Sequence, residues 1–310
     1  MTAPASPLRK LVPLRKLVYG TPTDKSGIAV RIGIEQGFFR DIGVDLSVRT
    51  IFGGPPLAAA YDAGEMAFGQ IGSPPAVNAI SKGARFRVVG GGLRRKLHSY
   101  LGVRPEIADF DGLRGRRIGI LSRGSCAEWF LRAMLRHRGL DPDRDVAIVE
   151  LRDEYPQFFE LLADGRVDGG LIVEPLMAEG ETRGALRKLR AMYEEDYLPE
   201  SQWIVRVARE DFMRDEPELL RALLAACRRS AHWTAENPDA WIDFTMRAYG
   251  IGRDTAARAA AREFPHFHLD GGVSRTGLQT IVDLQKSLGA IARPDFTADD
   301  AMDLRFLEAA

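Results

Sequence analysis

The chain has 310 residues, 45% of them hydrophobic and 28% charged, enough for a packed protein of one large or two smaller domains. Lys plus Arg equals Asp plus Glu at 43 each, so there is no basic footprint for nucleic acid. No apolar run approaches the ~18 residues of a membrane span, and the two cysteines, Cys126 and Cys227, have no metal-ligand spacing and cannot form a disulfide framework.

Residues 1–16 read as a basic tail repeating Leu-Arg-Lys-Leu-Val, without the apolar core of a secretion signal. Leu17-Val18-Tyr19-Gly20 then reads as a strand, Thr21 to Ser26 as its loop, and 27–39 as a helix capped by Ser26. Strands are expected at 44–50, 66–71, 85–89 and 98–103, with helices at 57–63 and 76–81 between them. Residues 104–112, with a proline and mixed charge, read as a crossing. A second series follows: strand 117–121, the turn Ser122-Arg123-Gly124-Ser125, a helix with Trp129, Phe130, Ala133 and Met134 on one face, strands at 146–151, 167–173 and 202–207, and helices at 157–163 and from 176. Ser125 and Glu128 have the spacing of a capping box. The remainder reads as helices, one opened by a box of Asp215 and Glu218 around Pro217 and lined by Leu219, Leu220, Leu223, Leu224, Cys227 and Ala231. Others open at Asn237-Pro238, near Thr255, at Ser274, and at Thr297 with Asp300.

Strand–helix alternation predicts an α/β fold with mostly parallel sheets covered on both faces. Residues 60–64 align with 161–165, and twelve following residues keep register, so that Ser73-Pro74 falls on Glu174-Pro175. Two similar lobes would aim their strand tips at one cleft. The segments EQGFFRDIGVDLSV, AAAYDAGEMAFGQIG, ISKGARFRVVGG, DGLRGRRIGI, LRAMLRHRGLD, LADGRVDGGLIVEP and PELLRALLAACRRSAHWTAENPDAW resemble the solute-binding proteins of ABC importers in the nitrate/sulfonate/taurine group, which is similar to the thiamine-pyrimidine synthases. The resemblance implies a two-lobed periplasmic-binding fold: 17–103 with 207–310 as lobe 1, and 104–206 as lobe 2. It implies a small polar or anionic ligand, a permease partner, a monomer, a periplasmic location and no cofactor. With no signal read at Met1, a cytoplasmic location is the alternative.

Carried over position by position, the contact residues are Thr21, Thr23, Asp24, Gly53, Gly54, Pro55, Ser73, Ser122, Arg123, Gly124, Ser125 and Glu174, with His98 and Tyr155 facing the same cleft. Ser125 opens a helix whose N–H groups and dipole suit an anion. Arg123 favours an acidic ligand and Glu174 a donor, so together they leave ligand charge open. Glu174 equally fits a carboxylate capping the helix that Pro175 begins. The alternative function is an enzyme on the same scaffold: a decarboxylase, desulfinase or pyrimidine-synthase-like protein acting on a small aromatic acid. Its candidate groups are Cys126, His98 and Glu174. The desulfinases of this fold carry a cysteine in the first cleft loop, and Thr21 to Ser26 has none; the iron-linked cysteine segment of the fungal synthases is also missing. His266 and His268 share a strand face but lack a third metal ligand. Gly53-Gly54 and Gly90-Gly91-Gly92 match no phosphate-binding fingerprint.

Overall fold

A computed structural model describes residues 13–23, 25–93, 98–195 and 200–307. Most of the basic tail lies outside these residues. The strands in chain order are β1 (Arg15–Thr21), β2 (Val44–Thr50), β3 (Phe68–Gly72), β4 (Phe86–Gly91), β5 (Tyr100–Val103), β6 (Arg117–Ile120), β7 (Ala147–Glu150), β8 (Gly169–Ile172), β9 (Arg187–Ala191) and β10 (Ile204–Arg209). They form two sheets, ordered β2-β1-β3-β10-β4 and β7-β6-β8-β5-β9. In the first, β1 runs parallel to β2 and β3, and β10 is antiparallel to β3 and β4. In the second, β6 runs parallel to β7 and β8, and β5 is antiparallel to β8 and β9. The two sheets therefore have one plan, and the echo seen in the sequence is a repeat of the whole strand order.

Three strand assignments differ from the sequence pattern. First, β5 (98–103 in the prediction) belongs to the second sheet, pairing with β8 and β9. Conversely β10, from Ile204, belongs to the first. The crossings thus fall before Tyr100 and before Ile204, not at 104 and 207. Periodicity identifies a strand but carries no information on its hydrogen-bonding partner. Second, β9 was missed, because RKLRA is a charged edge strand without a buried face to impose alternation. Third, Arg15 and Lys16 are strand rather than tail, in register with Val44 and Asp45.

Helices α1 (Ile28–Glu35), α2 (Gly54–Ala63) and α3 (Ser73–Ser81) follow β1, β2 and β3; α4 (Cys126–His137), α5 (Phe158–Ala163) and α6 (Leu176–Thr182) follow β6, β7 and β8. Strand β3 is buried throughout and contains Gly69 for a steric reason. A Cβ there would sit 2.5 Å from the Gly20 carbonyl oxygen and collide with the Tyr61 hydroxyl, which donates to that carbonyl at 2.9 Å. Helix α1 is capped differently from expectation: its N-cap is Gly27, with no side-chain cap, while Ser26 Oγ bonds Thr23 Oγ1 at 2.8 Å.

The rest is α7 (Glu210–Asp215), α8 (Pro217–Glu236), α9 (Pro238–Tyr249), α10 (Arg253–Glu263), α11 (Arg275–Ser287) and α12 (Ala298–Ala301). No capping box forms at Pro217; Asp215 pairs with Arg214 and Glu218 with Arg221. Ser274 does cap α11 through Gly277 N–H, and Thr297 with Asp300 opens α12 as predicted, forming a capping box. Helix α8 buries Leu220, Leu223, Leu224 and Cys227 against Tyr19, Val30 and Phe39, each fully buried leucine contributing ~1.5–3 kcal/mol. Helices α8 and α9 pack on α1, and α10 packs on both α9 and α6. The C-terminal helices thus touch both halves of the molecule. Among the described residues, no helix is long and apolar enough to cross a membrane.

Candidate functional site

The turns that follow β1, β2 and β3 meet those that follow β6, β7 and β8 around one pocket. From the first half come Pro22, Thr23, Ser26, Gly54, Gly72 and Pro75. The second half gives Leu121, Ser125, Ala127, Tyr155, Leu171 and Val173. Ser99 and Trp203, with Ile204, close it from the two crossings. Its polar groups are the hydroxyls of Thr23, Ser26, Ser99, Ser125 and Tyr155, and no charged side chain among the described residues lines it. Burial pushes the Tyr155 phenol well above its ordinary value, opposed in part by a backbone hydrogen bond with Val173, so it stays a neutral hydroxyl at pH 7. A set of neutral hydroxyls around apolar walls suits a small organic molecule held by hydrogen bonds rather than by direct ion pairing.

The structure sorts the predicted residues. Thr23, Gly54, Ser125 and Tyr155 line the pocket. Gly53 and Ser122 do not line it but press on each other across the halves: a Cβ on Gly53 would stand 2.9 Å from Ser122 Cβ. Pro55 and Gly124 oppose one another in the same way and line an outer groove with Arg123. Thr21 is fully buried, its hydroxyl donating to the Thr23 carbonyl at 3.0 Å, which shapes the loop rather than facing ligand. Ser73 is likewise buried: its N–H donates to the Trp203 carbonyl at 2.7 Å and its hydroxyl to the Gln202 carbonyl. It ties α3 to the second crossing. Asp24 and the side chain of Cys126 lie outside the described residues.

Arg123 is turned away from the pocket. Its guanidinium donates to Glu128 at 2.9 Å and to the Ile148 carbonyl at 2.7 Å. Burial pushes the Glu128 carboxyl up, but the Gly124 N–H, Arg123 and Arg132 outweigh it and hold the carboxyl below its usual range. Ser125 accepts from Glu128 N–H at 3.4 Å, while the Glu128 carboxylate reaches Gly124 N–H at 2.5 Å, one residue short of a reciprocal box.

Glu174 takes the capping role. It is fully buried, accepting from Ala178 N–H at 2.9 Å in α6 and pairing with Arg262 of α10 at 3.0 Å. Arg262 also reaches Glu181 at 2.6 Å. An acid already satisfied by a helix N-terminus and an arginine is not offered to ligand. His98 is buried outside the pocket lining, stacked on Tyr193 with centroids 4.6 Å apart and 4.3 Å from the His266 ring. It belongs to an aromatic cluster where the crossings meet the segment after α10. No group of three or more His, Cys, Asp or Glu side chains among the described residues has the arrangement of a metal site.

The predicted loop Thr21 to Ser26 includes Pro22 and Ser26, but sequence reasoning missed Gly72, Pro75, Ser99, Leu121, Ala127, Leu171, Val173, Trp203 and Ile204. The only usable signal was Trp203, an aromatic at a predicted strand start.

The model of the NMT1/THI5-like family matches residues 27–241, more than half of the chain. The chain belongs to the NMT1/THI5-like family. It is similar to a putative binding protein of Brucella abortus, 24% identical over 85% of this chain and 82% of that protein. It is also similar to the taurine-binding periplasmic protein of Escherichia coli K12, 25% identical over 67% of this chain and 63% of that protein. Among solved structures, the alkanesulfonate-binding protein SsuA of Xanthomonas axonopodis pv. citri, bound to MOPS, superposes with a TM-score of 0.78 at 17% identity, covering 93% of this chain and 98% of that one. The fold of this family member is the two-lobed periplasmic-binding fold, with the pocket where the two strand plans face each other.

Proposed function

We propose that the chain is the solute-binding protein of an ABC importer and that it captures a small polar or anionic organic molecule between its two halves. One observation carries this reading: every βα turn of the repeated plan, three from each half, contributes to one pocket lined by hydroxyls. A pocket assembled from two bodies is completed only when they approach, so ligand and closure stabilise each other. Similarity to taurine- and alkanesulfonate-binding proteins supports a sulfonate, with carboxylates, nitrate and aminopyrimidines as the competing classes. The same similarity supports a periplasmic location and a permease partner. Of the enzyme alternative's candidate groups, Glu174 is engaged in helix capping and a buried pair with Arg262, His98 lies outside the pocket lining, and the Cys126 side chain lies outside the described residues.

The test is a thermal-shift screen of taurine, alkanesulfonates, aromatic carboxylates, nitrate and aminopyrimidines, followed by calorimetry on the best hit. Ser125→Pro removes the pocket hydroxyl, the cap on Glu128 N–H and an N–H bonded to the Ser122 carbonyl. Binding of the hit should fall at least tenfold in this variant. A hit that mass spectrometry shows to be consumed, rather than recovered intact, would replace import with catalysis.

A further inference from the structure

A second pocket adjoins the first, sharing Ser26, Val173, Trp203 and Ile204 as a common wall. Its far side is formed by the first turn of α1, Gln70 on β3 and Arg206 on β10. Arg206 is only 4% exposed. It donates to the Gly91 carbonyl, and the Tyr19 hydroxyl and Cys227 thiol, both uncharged at neutral pH, lie near enough to act on its charge. Its Nε has no hydrogen-bond partner among the described residues. Four of the buried carboxylates, Glu128, Asp168, Glu174 and Glu195, behave otherwise, each facing an arginine. No ion pair to Arg206 forms among the described residues, and no carboxylate is among the strongest influences on its charge, although Asp270 shares an outer groove with it. An arginine stays protonated in a protein interior, and an uncompensated buried charge is strongly destabilising. The charge therefore lacks its counterpart.

We propose that this second pocket is a small-anion subsite, in which a compact monoanion sits between the Arg206 guanidinium, the Gln70 amide and the first turn of α1. That turn adds favourable electrostatics: the N-cap of α1 is Gly27, which supplies no side-chain cap. The Gln70 amide is already oriented, accepting from Tyr19 at 2.9 Å and donating to the Ser26 carbonyl. This network connects the buried charge to Ser26, which lines the ligand pocket as well. The anion has two sources with one chemistry: the acidic head of the organic ligand, or a free inorganic anion. Only the first source rests on the proposed transport function.

Crystals of the full chain soaked in sodium bromide test the site, with and without methanesulfonate. Anomalous scattering should place bromide within hydrogen-bond reach of Arg206. In solution, bromide at constant ionic strength should raise Tm saturably by about 2–5 °C, and Arg206→Met should lose that rise. Bromide displaced by methanesulfonate assigns the subsite to the ligand's head group. Bromide retained while methanesulfonate occupies the hydroxyl pocket assigns it to an inorganic anion. Absence of bromide at Arg206 overturns the proposal, as does a bromide response unchanged in Arg206→Met; if that variant does not fold, the soak decides. Failure of every organic compound in the ligand screen would count against transport and leave the bromide result standing.

Discussion

Gly53→Ala is the substitution that separates folding from closure. Gly53 has φ 97° and ψ 147°, a region that side chains other than glycine rarely adopt. Forcing alanine into it costs ~1–3 kcal/mol whatever the relation of the two halves. A second cost arises only when the halves meet. The new methyl would lie 2.9 Å from Ser122 Cβ and closer still to its hydroxyl, and Ser122 is 1% exposed with no free space to retreat into. Overpacking of that kind costs ~1–3 kcal/mol, or roughly a five- to 150-fold loss in ligand affinity. Urea denaturation reads the first cost, calorimetry with the best ligand from the thermal-shift screen reads the second. Ser122→Gly in the Gly53→Ala background should restore affinity but not stability, because it removes the cross-cleft clash and leaves the backbone strain. Wild-type affinity in Gly53→Ala, or a double variant that binds no better than the single, would refute the view that Gly53 and Ser122 meet on closure.

Other outcomes follow from the same geometry. Glu174→Gln breaks a buried pair but leaves Arg262 its second partner, Glu181, so urea denaturation should show a loss near the lower end of the range for such pairs, about 3 kcal/mol. If Glu174 instead served ligand, affinity would collapse while stability held. Glu128 has its carboxyl held below the usual range in the folded chain, so its contribution to stability is present above the unfolded value of ~4.5 and is lost as pH falls through the folded value. The stability gap between wild type and Glu128→Gln, measured by denaturant titration from pH 7 to 3, should therefore shrink on acidification. A gap that grew would contradict the assigned direction. Tyr155→Phe keeps the buried ring but removes a pocket hydroxyl that also bonds the Val173 backbone, and should weaken binding of a hydrogen-bonded ligand about five- to twentyfold with a smaller loss of stability of about 1 kcal/mol. A larger loss of Tm than of affinity would make Tyr155 a structural residue.

The repeat was legible because each half is a run of local signals. Apolar strands, glycine stops and proline-led helices depend on neighbours a few residues away, and 60–64 and 161–165 carry the same ones. The loops of the pocket were legible for the same reason, since ligands gather at the strand tips of parallel sheets. Which residues within those loops face ligand was not. Thr21 and Thr23 stand two apart on one loop, yet one closes a turn and the other lines the pocket. Arg123 and Glu174 looked like recognition charges because side-chain chemistry is visible in sequence and its partner is not. Their partners, Glu128 with Ile148 and Ala178 with Arg262, come partly from elements folded in from elsewhere.

Sequence alone determined the elements, their alternation and the existence of two like halves, because backbone preference and apolar periodicity act over one or two turns of chain. Tertiary structure alone decided that β5 and β10 each complete the other half's sheet, that Ser99 and Trp203 close the pocket, and that Arg206 is buried without a carboxylate. Those facts arise from pairings between residues often a hundred or more positions apart. Nothing in a local pattern encodes such a pairing; only the simultaneous packing of both sheets and the C-terminal helices selects it.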